Sequence, residues 1–109
     1  MTQSNLMSYN TFTFKTEAQM LLHIRLWEGK GKLLFEKLKD KGCTRYCYNQ
    51  IWNKQGTFKT STLFEYESPQ AYKDCQKQIG TFVQSLMKEL EAISPVIESS
   101  RNVILEDLR

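Results

Sequence analysis

From Arg45 to Glu67 the chain reads as two strand-type runs set back to back. The first covers about Cys43 to Trp52 and the second about Thr57 to Glu67; both are rich in Thr, Tyr, Phe and Ile, which suit a pleated surface. Asn53-Lys54-Gln55-Gly56 between them predicts a hairpin loop built on a type I turn and a glycine bulge. Ser68 then offers a hydroxyl to cap a helix, and Pro69 sits at the first helical position, where its missing N–H costs nothing. The helical pattern continues to about Ile93, with Ala71, Tyr72, Cys75 and Ile79 on one stripe. Phe82, Val83, Leu86, Met87, Leu90 and Ile93 make a second. Gly80 lies between the stripes and predicts a kink or break, and Pro95 ends the segment.

Upstream, alternation predicts a first strong strand over Met20 to Trp27. It puts Leu22, Ile24 and Leu26 on one side and His23, Arg25 and Trp27 on the other. Glu28 to Lys41 predicts a helix with Leu34, Phe35 and Leu38 as its apolar stripe and Gly42 as a left-handed cap. Val103-Ile104-Leu105 predicts the last strand. Residues 1–18 read as a polar arm, frayed over 1–9, in which Thr11 to Phe14 alternates as a short extra strand. Residues 19–109 then form one domain of order β-α-β-β-α-β. This is an α+β, ferredoxin-like protomer, a four-stranded antiparallel sheet with both helices on one face.

The aliphatic set of the first strand suits helix packing, which leaves His23, Arg25 and Trp27 on the bare face. If Tyr46, Tyr48 and Trp52, and Thr62, Phe64 and Tyr66, share that face, several large aromatics stand exposed together. A monomer seldom leaves such a patch wet, so the pattern predicts a second copy of the chain over it.

Composition adds exclusions. At 109 residues the chain supports one domain, and 40% apolar with 25% charged residues is ordinary globular usage. A net charge of +3, with lysines interspersed among acids, lacks the clustered basic footprint of nucleic-acid binding. The start of the chain is polar, with no signal-peptide pattern, and no apolar run approaches a membrane span. Cys43, Cys47 and Cys75 lack a CxxC spacing and fit reduced thiols in a cytoplasmic protein. With His23 the single histidine, no zinc ligand set is expected.

The order of elements, together with Phe64-Glu65-Tyr66-Glu67-Ser68-Pro69-Gln70-Ala71-Tyr72, resembles the dimeric α+β barrel superfamily. It looks most like the antibiotic biosynthesis monooxygenase-like branch. The third strand of that branch ends in an acidic residue, a variable one and an aromatic, then enters a helix through a small residue and an Ala-aromatic stretch. Tyr66 matches the aromatic position, and Ser68, Ala71 and Tyr72 match the helix entry. The resemblance covers about residues 19 to 108. It implies a homodimer with sheets face to face, helices outside, and a pocket in each protomer that takes a small organic molecule. Many members, and the related haem-degrading proteins, carry a histidine on the helix after the third strand. The matching region here offers Cys75, which argues against a haem role that depends on such a ligand. A cofactor-free oxygenase reading survives this difference, and no cofactor is expected.

Within that frame His23 is the default proton carrier, because its ordinary pKa lies near neutrality. It could equally be a structural histidine tied to a neighbour. Arg25 could clamp a carboxylate or enolate oxygen, or pair with a glutamate across an interface. Trp27, Phe64 and Tyr66, with Tyr46 and Tyr48, could wall a small-molecule site or simply fill a dimer core. Cys47 and Cys75 read as small buried hydrophobes. The functional expectation is a monooxygenase-like protein with His23 and Arg25 acting on a phenol-like substrate; the alternative is a non-catalytic dimer that binds a ligand.

Overall fold

The structure, a computed structural model, describes residues 4–53 and 55–109; residues 1–3 of the expected arm and Lys54 of the hairpin loop lie outside the described residues. In chain order the elements are β1 (Leu6–Phe14), α1 (Glu17–Trp27), α2 (Lys30–Leu38), a 3₁₀ turn (Lys39–Lys41), β2 (Cys43–Ile51), β3 (Phe58–Tyr66), α3 (Pro69–Gln84), α4 (Met87–Ile93) and β4 (Val96–Val103). Each helical layer is a pair of helices, so the order is β-α-β-β-α-β. The four strands form one sheet in the order β2-β3-β1-β4, antiparallel throughout, with the helices on one face. This is the ferredoxin-like architecture.

Two N-terminal expectations are corrected. The supposed arm contains β1, which sits inside the sheet and pairs with β3 on one side and β4 on the other. Met20 to Trp27 is part of a helix, not a strand. Thr16 caps that helix by accepting from the Gln19 backbone N–H at 3.1 Å, while the Gln19 side chain accepts from the Lys15 N–H at 3.2 Å. Met20, His23, Ile24 and Trp27 fall at i, i+3, i+4 and i+7 and turn toward the sheet; Leu22, which strand alternation buries, is 55% exposed.

The remaining boundaries follow local chemistry. Gly42 closes the 3₁₀ turn at φ 98°, and Ser68 caps α3 by accepting from the Ala71 N–H at 3.1 Å. Helix α3 runs through Gly80 without interruption; the break falls after Gln84. There the Ser85 N–H reaches Phe82 O, the Leu86 N–H reaches Val83 O, and Leu86 leaves helical geometry. The last strand also begins earlier than expected, at Val96, because Ser94 takes a left-handed turn (φ 47°) and Pro95 cannot continue the helix; Ile104 and Leu105 lie beyond its end.

The register fixes the faces. Leu6, Ser8, Asn10, Phe12 and Phe14 of β1 stand beside Tyr66, Phe64, Thr62, Thr60 and Phe58 of β3, and Tyr46 and Tyr48 of β2 stand opposite Phe64 and Thr62. Phe64 and Tyr66 pack with Leu34, Leu38, Ala71 and Cys75, so this whole set faces the helices. The expectation that these aromatics lie on the bare side is therefore corrected. The bare side carries Tyr9, Arg45, Cys47, Asn49, Ser61, Leu63 and Glu65, a mostly polar set.

Apolar side chains gather in two clusters rather than one. The larger joins α2 and α3 to β2 and β3 through Leu34, Leu38, Cys43, Phe64, Tyr66, Ala71 and Cys75. The smaller joins Phe14, Met20 and Ile93. A Cβ on Gly42 would stand 2.5 Å from the Ala71 Cβ, and the left-handed backbone there already disfavours any other residue. Gly42→Ala is expected to cost about 1–3 kcal/mol, read as a lower urea midpoint; an unchanged midpoint would show that α3 does not press on this turn.

Candidate functional site

Between the two clusters the sheet and helices do not close. An apolar hollow of about 110 Å³ is lined by Asn10, Phe12 and Phe64 from the sheet and by Trp27, Leu34 and Val83 from the helices, among others. A second hollow, about 180 Å³, adjoins it and shares Asn10, Phe64 and Ile79. Its other walls are polar: Ser8, Tyr66, Tyr72, Gln76, Ser99 and Arg101. Together they form a cleft with an aromatic inner end and a polar mouth.

The aromatic wall is a chain of ring contacts. Tyr46 meets Phe64 at 5.0 Å between centroids, Phe64 stacks on Tyr66 at 6.3 Å, and Tyr66 meets Tyr72 edge-on at 5.4 Å. Trp27 stacks on Phe82 of α3 at 5.9 Å. Gly31 allows the Tyr46 ring to lie against α2, since a Cβ there would fall 2.7 Å from the ring. Burial first, then the neighbouring Tyr48 and Cys47, pushes the Tyr46 phenol up to about 12; burial, then Cys43 and Cys75, pushes Tyr66 higher still. Both are neutral donors at physiological pH.

His23 stands behind this wall. It is 1% exposed, lies 5.0 Å from the Phe12 ring and 5.1 Å from the Phe14 ring, and is not a lining residue of either hollow. The Trp27 indole N–H can only donate, and it points at His23 Nε2 at 3.2 Å. Nε2 is therefore the acceptor, and the ring's proton sits on Nδ1, which donates to the Tyr48 hydroxyl at 2.5 Å. The Tyr48 proton is left to turn toward Thr60, whose buried Oγ1 meets no partner with full hydrogen-bond geometry. Burial pushes the His23 pKa down from 6.5 to about 4. Protonating Nε2 would also set two N–H groups against each other.

Of the residues singled out from sequence, Trp27, Tyr46 and Phe64 line the apolar hollow and Tyr66 the polar one. Tyr48 lines neither hollow; it neighbours Tyr46 and is hydrogen-bonded to His23. Arg25 is exposed on α1 and is not brought to the cleft. Two positions apart on a strand means one face, but on a helix it means nearly opposite sides, so His23 and Arg25 are separated. Asn10, Gln76 and Arg101 carry no such signal in the sequence: Asn10 falls in the expected arm, and Arg101 lies on a strand that begins before the pattern predicts. Asn10 Nδ2 donates to Thr62 Oγ1 at 3.0 Å, placing a carboxamide in the floor of both hollows. The free thiol of Cys75 is buried against the Leu38 and Lys41 carbonyls, and burial raises its pKa. Among the described residues no three His, Cys, Asp or Glu side chains gather as a metal site, and no helix is long and apolar enough to cross a membrane.

A histidine buried neutral makes stability depend on pH with a definite sign. The unfolded chain takes up the proton near pH 6.5 and the folded one only near 4, so stability is full above 6.5 and lost as pH falls. From pH 7 to 5 the expected loss is about 2 kcal/mol, largely ahead of carboxylate titration. His23 is the sole histidine, so His23→Phe should flatten the urea midpoint across this range. An equal slope in wild type and variant would contradict the buried neutral ring.

Several solved proteins share this architecture. A dimeric ferredoxin-like protein from an uncultured marine organism superposes with a TM-score of 0.87 at 18% identity, covering 97% of this chain and 100% of that one. Another, also described as dimeric and from an uncultured marine organism, gives 0.85 at 25% identity, with 97% and 99% covered. A monooxygenase from Streptomyces coelicolor, solved in complex with the ligand nanaomycin D, gives 0.67 at 14% identity, with 97% and 92% covered. The resemblance to the antibiotic biosynthesis monooxygenase-like branch thus holds at the level of fold. Among curated proteins none matches the chain. A family model described as Domain of unknown function (DUF6974) matches residues 3–104, and the chain belongs to that family.

Proposed function

We propose that the protein is a monooxygenase-like homodimer in which each protomer binds a small, flat organic molecule in the cleft between sheet and helices. The observation that carries this reading is the inner hollow itself. It is walled by Phe12, Trp27, Leu34 and Phe64, with Asn10 and Thr62 as its small polar complement, a composition suited to an aromatic ligand. The monooxygenase of the same fold that was solved with nanaomycin D supports it by analogy of architecture.

The chemistry such a lining supports is restricted. Neither hollow includes a carboxylate or an imidazole among its lining residues. His23, low in pKa and bonded at both nitrogens, acts as a positioning residue that orients Trp27 and Tyr48. A substrate oxygenated here would supply its own electrons: an activated ring CH₂ and O₂ become C=O and H₂O, with the wall excluding bulk water. The missing base also favours a second reading, binding without turnover.

The homodimer has grounds other than a bare aromatic face. The two solved ferredoxin-like proteins that match this chain over nearly their whole length are dimeric. Here residues 104–109 cross the open side of the sheet, held by the Ile104 N–H on Asn5 O and by Arg109 on Glu65 at 3.2 Å. Leu105 and Leu108 are thereby left 94% and 83% exposed, an arrangement a second copy would cover.

Sedimentation should give twice the 12.8 kDa chain mass; a species of single-chain mass would remove the dimer. For the cleft, 2-naphthol titrated by calorimetry should bind, and Phe64→Ala should weaken it by about tenfold. Binding unaffected by Phe64→Ala would place the ligand elsewhere. Oxygen uptake coupled to product formation separates turnover from binding.

A further inference from the structure

The polar mouth of the cleft is unbalanced in charge and in hydrogen bonding. Arg101, on the edge strand β4, donates from Nε to the Tyr72 hydroxyl, and its guanidinium carbon lies 5.3 Å from the Tyr72 ring centroid. The guanidinium is thus fixed on α3 as well as on the sheet. Among the described residues no carboxylate lies within ion-pairing distance of Arg101, and its terminal amino groups have no protein acceptor.

Across the same hollow lies Tyr66, wholly buried, with a hydroxyl that meets no hydrogen-bond partner. Gln76 is its nearest polar neighbour, close enough to act on the phenol, while Gln76 Nε2 donates to the Tyr72 carbonyl at 3.3 Å. A buried phenol in this state is costly until an acceptor completes it, and one entering the hollow could do so. Ser8 and Ser99 add further donors to the walls. A permanent cation, an orphaned donor and no acid on the walls together make a site for an anion. The planar fork of a guanidinium suits a carboxylate in particular.

The hollow shares Asn10, Phe64 and Ile79 with the aromatic one, so a single compact molecule can occupy both. We infer that the cleft takes an aryl carboxylate, its ring between Trp27 and Phe64 and its carboxylate on Arg101 and the Tyr66 hydroxyl. The inference rests on the small-molecule reading of the cleft and specifies its ligand class.

The test compares 2-naphthoate with methyl 2-naphthoate, one ring system with and without charge, by calorimetry at pH 7 and low salt. Wild type is expected to prefer the acid by about tenfold or more. Arg101→Gln, at an exposed position, should bring the acid's affinity down to that of the ester. Tyr66→Phe should weaken the acid severalfold more than the ester. Equal affinity for acid and ester in wild type, or a preference that survives Arg101→Gln, overturns the carboxylate subsite and leaves the aromatic hollow standing. Binding of neither compound overturns both.

Discussion

A neutral imidazole buried between an indole and a phenol organises this molecule. His23 can accept from Trp27 and donate to Tyr48 only as the Nδ1–H tautomer, and burial keeps it neutral well below pH 6.5. That one ring ties α1 to β2 across the helix-covered face. The ring also contacts Phe12 and Phe14 beside the smaller core cluster and Trp27 beside the larger one, with the cleft adjoining them. A protein interior normally packs to crystal density, so a persistent aromatic-walled gap needs walls that cannot relax inward.

The two ends of the cleft differ for reasons that lie in the strands. Along β1 and β3 the helix-facing residues pass from Phe14 and Phe58 at one end through Asn10 and Thr62 to Ser8 and Phe64. The edge strand β4 adds Ser99 and Arg101 opposite Asn10 and Ser8, where α3 presents Tyr72 and Gln76. Apolar area provides affinity without direction; the donors at the mouth would set which way round a molecule lies.

Much of the fold was legible in the sequence, and the errors in the N-terminal half share one cause. The β2–β3 hairpin, the Ser68 cap and the Gly42 stop are local signals, and each acts as its chemistry suggests. Met20 to Trp27 carries two periods at once. Leu22, Ile24 and Leu26 satisfy a strand, while Met20, His23, Ile24 and Trp27 satisfy a helix, and the decisive Thr16-x-x-Gln19 cap lies just outside that window. Mistaking that helix for a strand displaced β1 into an arm, paired His23 with Arg25, and turned Phe64 and Tyr66 to the wrong face. Trp27, Tyr46, Phe64 and Tyr66 line the hollows all the same, because large aromatics at strand and helix positions gather in either arrangement. Arg101 gave no such signal: its role depends on Tyr72, 29 residues away, and on Tyr66, farther still along the chain.

The protonation state of one ring decides whether the cleft is supported in this way, and nitrogen NMR of His23 reads it directly. Between pH 7 and 5 the spectrum should show a single neutral tautomer, protonated at Nδ1 and bare at Nε2, with titration only near pH 4. A ring that titrates near 6.5, or carries its proton on Nε2, would mean that Trp27 and Tyr48 are not joined through it and that the cleft has no such support.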